Sequence, residues 1–447
     1  MRRSSAKFCN RAAALIALGL LAACSPDPRS PEATILSDTP PVYDYPIANP
    51  YAATVIGMPP EQKVNLTALP MPDDEKIVLY PNREIPEGYW YEDGLRYGQL
   101  LQSHAAPLIY VIAGTGGDHK AAKMEALAQM FYSAGFHVVL LPSPTHPNFI
   151  INASSDFLGE RPVTSARDLY HVMRKIDKRV SKEVKITSRM LTGYSLGAME
   201  AAFTARLDED QKKLNFERVL LINPPYNLRR SIEVIDKMLF VGMPGGIDDA
   251  DRFIERVMAR LGSLSQSGDA LDFDNERMLL DAYEQDKLDN ASLATTIGLS
   301  FRLSAASMIF TNDVMGHRGY IFPKDSEFTT GTDLDTAMAL ALRTSFGDYF
   351  REFYVKEAQR NDPTLSEAYL DHEASLAYLD GYMRDNPKFA LITNMDDVIL
   401  APGEIDQLIG LFGTRARIFD NGGHLGNMTH PAVAYAIVHF MKYGGQP

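Results

Sequence analysis

A serine stands between two glycines in Gly193-Tyr194-Ser195-Leu196-Gly197, after the strand-like run Val184 to Thr192 and before a helical run, Ala198 to Phe203. Gly-x-Ser-x-Gly at a strand-to-helix junction predicts a sharp turn that lifts the hydroxyl above a sheet edge. The turn is so tight that its flanking positions must lack bulk. The helix start behind it favours negative charge developing nearby. A serine hydroxyl is a poor nucleophile without a base. Asn421-Gly422-Gly423-His424-Leu425-Gly426 offers an imidazole, in a glycine-rich loop between the last strand-like run and the last helical one. His430 follows closely but belongs to the start of that helix. The base in turn needs an orienting carboxylate, and Thr393-Asn394-Met395-Asp396-Asp397 supplies two. With Asn394 at the turn, Asp397 takes the catalytic place; with the strand counted from Pro387, Asp396 does. Asp397 is preferred and Asp396 is the alternative; the other carboxylate then serves a turn or a helix cap. An inert serine at a strand–helix turn and a surface or capping histidine are the competing readings.

An oxyanion formed by attack on a carbonyl needs preorganised donors, usually backbone amides. Leu196, directly after the serine, is one candidate. Ala113-Gly114-Thr115-Gly116-Gly117, closing the apolar run Pro107 to Ala113, holds the other. That loop has neither a Gly-Lys-Ser/Thr ending nor Gly-x-Gly-x-x-Gly spacing, so a phosphate cradle is disfavoured.

The elements that must hold these groups alternate. Strand-like runs at 107–113, 136–141, 184–192 and 219–222 are separated by helical periodicity, as in Lys123 to Ala134 and Val163 to Val180. Strands that are nearly continuous in β-branched and leucine residues and alternate with helices predict a parallel sheet covered on both faces. From Tyr226 to Asp385 the strand rhythm vanishes and helical stretches replace it. It returns at Phe389 to Thr393 and Ala416 to Phe419, before a final helix from Pro431 to Tyr443. The simplest account is a helical insertion of roughly 160 residues, far longer than an ordinary connection, lying as a cap over the carboxyl edge of the sheet.

Serine, acid and histidine in that chain order, each in a loop after a strand, resemble the α/β-hydrolase family from about Ile77 to the C-terminus. The resemblance implies an α/β fold: a mostly parallel, doubly wound sheet with a large helical cap insertion. It implies Ser195 as nucleophile, His424 as general base and then acid, and Asp397 as orienter, working through an acyl-enzyme. Many relatives have His-Gly-x-x-Gly where this chain has Ala-Gly-Thr-Gly-Gly. Thr115 matches the donor position and Gly114 allows close approach. The expected reaction is hydrolysis of a carboxylic ester, the substrate a small molecule or a lipid with an apolar acyl group. An acyltransferase or a peptidase would use the same triad, and a non-catalytic envelope lipoprotein retaining the fold is the reading from a different class. No cofactor is implied.

The 447 residues carry a formal net charge of -13 and an ordinary 45% hydrophobic content, which disfavours nucleic acid as a partner. The two cysteines, Cys9 and Cys24, both lie near the N-terminus, so the body has no disulfide, thiolate metal site or cysteine nucleophile. Arg2, Arg3, Lys7 and Arg11 precede the apolar stretch Ala12 to Ala23, the pattern of a secretory signal. Its end, Leu21-Ala22-Ala23-Cys24, resembles the lipobox of bacterial lipoproteins. That resemblance implies a lipid on Cys24 and a membrane anchor in the cell envelope, on the periplasmic side of the outer membrane because Ser25 follows. The expected organisation is a signal peptide over 1–23, a proline-rich tether over 24–75, hydrolase core over 76–225, helical cap over 226–385 and core again over 386–447. Tyr43-Asp44-Tyr45 within the tether has packing on the body as its alternative. The remaining histidines show no metal spacing, although His119 lies close enough to the oxyanion loop to line a pocket. Met238, Leu239, Phe240, Met308, Phe310, Phe346, Tyr349, Phe350 and Phe353 of the insertion are candidates for an acyl pocket or for ordinary cap packing.

Overall fold

The computed structural model describes residues 35–37, 39–159, 161–262, 276–285 and 288–447. Residues 1–23, expected to be a signal peptide, and Cys24 lie outside the described residues. Among those described, eight strands form one sheet: β1 (Asp73–Ile77), β2 (Leu95–Leu100), β3 (Ala106–Ile112), β4 (His137–Leu141), β5 (Ile186–Tyr194), β6 (Phe216–Ile222), β7 (Phe389–Asn394) and β8 (Ala416–Phe419). Their spatial order is β1-β2-β4-β3-β5-β6-β7-β8. β1–β2 and β2–β4 pair antiparallel and every other pair is parallel.

Most of the parallel strands carry an apolar run, as at residues 108–112, 138–141, 219–222 and 389–392, because both faces are covered there. Alternate side chains point to opposite faces of a strand. Leu108, Tyr110, Leu191, Val219, Leu221 and Leu391 thus enter one core, with the helices Pro162–Val180 and Leu196–Gln211. Ile109, Val111, Met190, Leu220, Ile222 and Ile392 enter the other, with the helices Ala122–Ser133 and Pro431–Tyr443. The last of these starts at Pro431, in the favoured first-turn position, with His430 Nδ1 accepting from Ala432 N at 3.1 Å. The expected mostly parallel sheet with helices on both faces and a helical insertion is present.

The insertion leaves after β6 and returns before β7. Its two ends meet, with Leu228 N donating to Ala374 O and Leu376 N to Tyr226 O. Leu228–Gly242 and the 27-residue helix Asn290–Gly316 are its main helices. They cross closely at Gly298, where a β-carbon would come within 2.5 Å of Leu239 N. Asn290–Gly316 is long and apolar enough to cross a bilayer by length and composition, yet most of it is buried inside the molecule. Met308, Ile309, Phe310, Tyr349, Phe350 and Phe353 form a cap core that also takes in Ile150 and Ile151 of the body. The end of the insertion packs elsewhere: Ala374, Leu376, Leu379 and Met383 join the core beneath the sheet.

Part of the segment expected as tether is packed. Pro50–Ile56 is a helix capped by the Asn49 side chain, and Tyr45, Ile47, Ala52, Ala53, Ile56 and Met58 are buried. Proline density predicted an extended chain, and prolines do begin the short helices Pro50–Ile56 and Pro60–Gln62. What overrides the extended tendency is tertiary: aromatic and aliphatic side chains between the prolines find apolar partners on the body and cap.

Candidate active site

β5 ends in the turn that carries Ser195. Its backbone (φ 55°, ψ −128°) lies where side chains rarely go, and the turn admits no bulk on either side. A β-carbon at Gly193 would sit 2.2 Å from Gly197 O, and one at Gly197 would sit 2.3 Å from Ile112 O. The two glycines are therefore required by contact with the turn itself and with β3.

Ser195 Oγ lies 2.9 Å from His424 Nε2. On the other side of the ring, His424 Nδ1 lies 3.0 and 3.1 Å from the two carboxylate oxygens of Asp397. With Nδ1–H donating to the carboxylate, Nε2 is left to accept from the serine. Asp397 Oδ2 also accepts from Asn223 Nδ2 at 2.7 Å and Oδ1 from Ile399 N at 3.2 Å, so the buried acid is fixed from three directions.

Asp396 has a different position. It accepts from Gly423 N at 2.9 Å and Gly422 N at 3.3 Å, holding the histidine loop from below rather than touching the imidazole. Burial raises its pKa above the ordinary carboxylate range, against the lowering effect of those two amides. The choice follows from where β7 stops. Asn394 is its last residue and is itself buried, donating to Gly423 O at 2.7 Å and to Asn427 Oδ1 at 3.0 Å.

Thr115, Ser195 and Leu196 line one cavity together. Gly114 lies against the Ser195 turn, since its β-carbon would come within 2.8 Å of the Tyr194 ring and 3.1 Å of Ser195 Cβ. The loop around Thr115 is held by Thr145, whose Oγ1 accepts from Gly116 N at 2.8 Å. From above, Ser304 of the long cap helix would meet a β-carbon on Gly116 at 2.9 Å. Tyr194, buried behind the loop, has its phenol pushed up to about 12 by desolvation.

The packed N-terminal segment reaches the site as well. His424 N donates to Thr54 Oγ1 at 2.9 Å, and Thr54 Oγ1 donates to Pro50 O at 2.7 Å. A β-carbon at Gly423 would lie 2.3 Å from Pro50 O, and one at Gly426 would lie 2.1 Å from Ala53 O. The glycines around His424 thus make room for the helix Pro50–Ile56. Thr54, Asn223 and Thr145 were not picked out from the sequence. The glycine-rich loop was the one visible sign that another backbone approaches there.

Of the other candidates, Met308 and Phe346 line the cavity at Ser195, whereas Phe310, Tyr349, Phe350 and Phe353 are spent in the cap core. Leu239 and Met238 are buried elsewhere in the cap and Phe240 is exposed. His119 is buried beside Asp74, with Nε2 2.9 Å from Oδ1, and beside Asp118, which it helps to hold down at about 2 against the opposing effect of burial. Among the described residues no group of three His, Cys, Asp or Glu side chains is placed to hold a metal ion.

The chain has an α/β-hydrolase-like fold. No protein-family model and no curated protein matches it. Solved structures resemble it remotely. A membrane phospholipase A described as a bacterial virulence factor is 15% identical, with 83% of this chain and 86% of that chain covered and a TM-score of 0.40. An esterase from Pyrobaculum calidifontis is 16% identical, with 88% and 90% covered and a TM-score of 0.39. A thioesterase domain from the curacin biosynthetic pathway is 14% identical, with 83% and 100% covered and a TM-score of 0.38.

Proposed function

We propose that the protein is a serine hydrolase that cleaves carboxylic esters with an apolar acyl group through an acyl-enzyme on Ser195. The observation that carries this reading is the row Ser195 Oγ, His424 Nε2, His424 Nδ1 and Asp397, with 2.9 and 3.0 Å between successive partners. His424 accepts the hydroxyl proton as Oγ attacks the ester carbonyl, and the negative charge moves to the carbonyl oxygen. The backbone N–H groups of Leu196 and Thr115 serve as its donors. Collapse of the tetrahedral adduct expels the alcohol oxygen, which takes the proton from His424 Nε2. Water, deprotonated by His424, then attacks the acyl carbon; the bond from that carbon to Ser195 Oγ breaks as His424 returns the proton to Oγ, releasing the acid. Asp397 keeps the ring oriented and its charged form stabilised through both protonation changes.

The basic and apolar N-terminal stretch ending in Cys24 supports a lipid-anchored envelope protein, with the catalytic body held near a membrane. Replacing Ser195 by alanine tests the chemistry. The folded S195A protein is expected to lose turnover of short p-nitrophenyl esters, and wild-type turnover by that variant would exclude the mechanism. An acyltransferase would instead transfer the acyl group to an added alcohol in preference to water, which product identification separates.

A further inference from the structure

Two cavities of unequal size share Ser195 in their walls. One, of about 50 Å³, is lined by Leu196, Ile232, Ile235, Phe301, Ala305 and Met308. Its two charged lining residues neutralise each other, Arg302 donating to Asp236 Oδ1 at 2.6 Å. Asp236 Oδ2 is used too, accepting from Phe346 N at 3.1 Å. The other is an open cleft of about 510 Å³, lined by His424, Leu425, Val55, Thr54 and Ile297. Ser195, Thr115 and Phe301 belong to both, so Phe301 borders each of the two spaces at Ser195.

His424 borders the wide cleft and not the narrow cavity. In the ester mechanism proposed above, on which this inference rests, the departing oxygen must lie within hydrogen-bond reach of the imidazole that protonates it. The leaving group therefore occupies the wide cleft. The narrow cavity, the other space that Ser195 lines, is left for the carbonyl substituent. We infer that the preferred substrates are esters of a short, unbranched apolar acid with a bulky alcohol. A dry apolar cavity of about 150 Å³ accommodates a benzene ring, so a space a third that size suits roughly two to four carbons beyond the carbonyl.

A p-nitrophenyl ester series from acetyl to dodecanoyl, kept below micelle-forming concentrations, holds the leaving group constant and varies only the acyl chain. The expected kcat/KM peaks between acetyl and hexanoyl and is lower by roughly 100-fold for dodecanoyl. Phe301→Ala, which joins the two cavities, is expected to move the optimum to longer chains. Ala305→Leu, which fills the narrow one, is expected to depress butyryl relative to acetyl turnover. With the acyl group fixed as acetyl, naphthyl and methylumbelliferyl esters should be cleaved as well as the nitrophenyl ester. Long acyl chains cleaved as fast as short ones, by a wild-type protein whose Ser195 reacts with a fluorophosphonate, would overturn the size assignment while leaving the mechanism standing. Absence of both labelling and ester cleavage would remove the mechanism and this inference together.

Discussion

Gly426→Ala tests whether the N-terminal helix fixes the histidine loop. The backbone at Gly426 is not in the left-handed region, so an added methyl meets only steric opposition. That opposition is large: the β-carbon would lie 2.1 Å from Ala53 O, 2.6 Å from Ala53 C and 2.7 Å from Gly422 O. Carbon–oxygen contacts settle at about 3.3 Å or more, so the helix or the loop must retreat by on the order of 1 Å. Thr54 adjoins Ala53, and its bond to His424 N is 2.9 Å long, so a retreat of that size breaks it. Overpacking of this kind destabilises by about 1–3 kcal/mol, and the lost hydrogen bond adds about 1 kcal/mol. A 1 Å displacement of a catalytic group costs about 100-fold in rate. The assay is kcat/KM on a p-nitrophenyl short-chain ester together with the urea midpoint. Gly410→Ala is the control, because a β-carbon there meets nothing within 4 Å. Activity within twofold of wild type and an unchanged midpoint for G426A would refute the coupling.

Asp397→Asn is expected to lower kcat by about 10,000-fold, because the amide favours the wrong imidazole tautomer. Asp396→Asn, which weakens only the Gly422 and Gly423 contacts, should cost about tenfold; the reverse ranking in steady-state kinetics would reassign the acid. Asp168, buried and accepting from Ser155 N and Oγ, has its carboxyl pushed up to about 6 from 3.8, chiefly by desolvation. The folded state thus holds its proton more tightly than the unfolded chain does. Its contribution is fully present below pH ~3.8 and is lost as pH rises past about 6, a difference of up to about 3 kcal/mol. Urea melts of wild type and Asp168→Asn at pH 4 and pH 8 should diverge in that sense, and identical pH dependence would contradict it. Cys24→Ser is expected to move the expressed protein from the membrane to the soluble fraction; unchanged membrane association would remove the lipid anchor.

Legibility in the sequence tracked how local the physical demand was. Gly193 and Gly197 are forced by atoms of the turn and the neighbouring strand, so the turn that carries Ser195 is visible in five residues. β3, β5 and β6 are visible through their apolar stretches, residues 108–112, 190–191 and 219–222, where both faces are buried. Which carboxylate meets His424 was ambiguous because one residue of strand length separates Asp396 from Asp397, and it follows only from the end of β7 at Asn394. Thr54 carries no local signal: its role exists only because the segment from Tyr43 to Met58 folds back on residues hundreds of positions away, as in the Tyr43 hydroxyl donating to Asn421 O. The cavity walls were hidden for a related reason. Ile235, Phe301 and Ala305 sit on helices that are apolar for cap packing too, and no periodicity marks which of their faces meets Ser195.

Reaction of the wild-type protein with a fluorophosphonate, followed by peptide mass spectrometry, addresses the central claim directly. The account predicts one stoichiometric adduct, on Ser195, formed far more slowly in a His424→Ala variant. A folded protein that stays unlabelled, or carries the adduct on another residue, would contradict it.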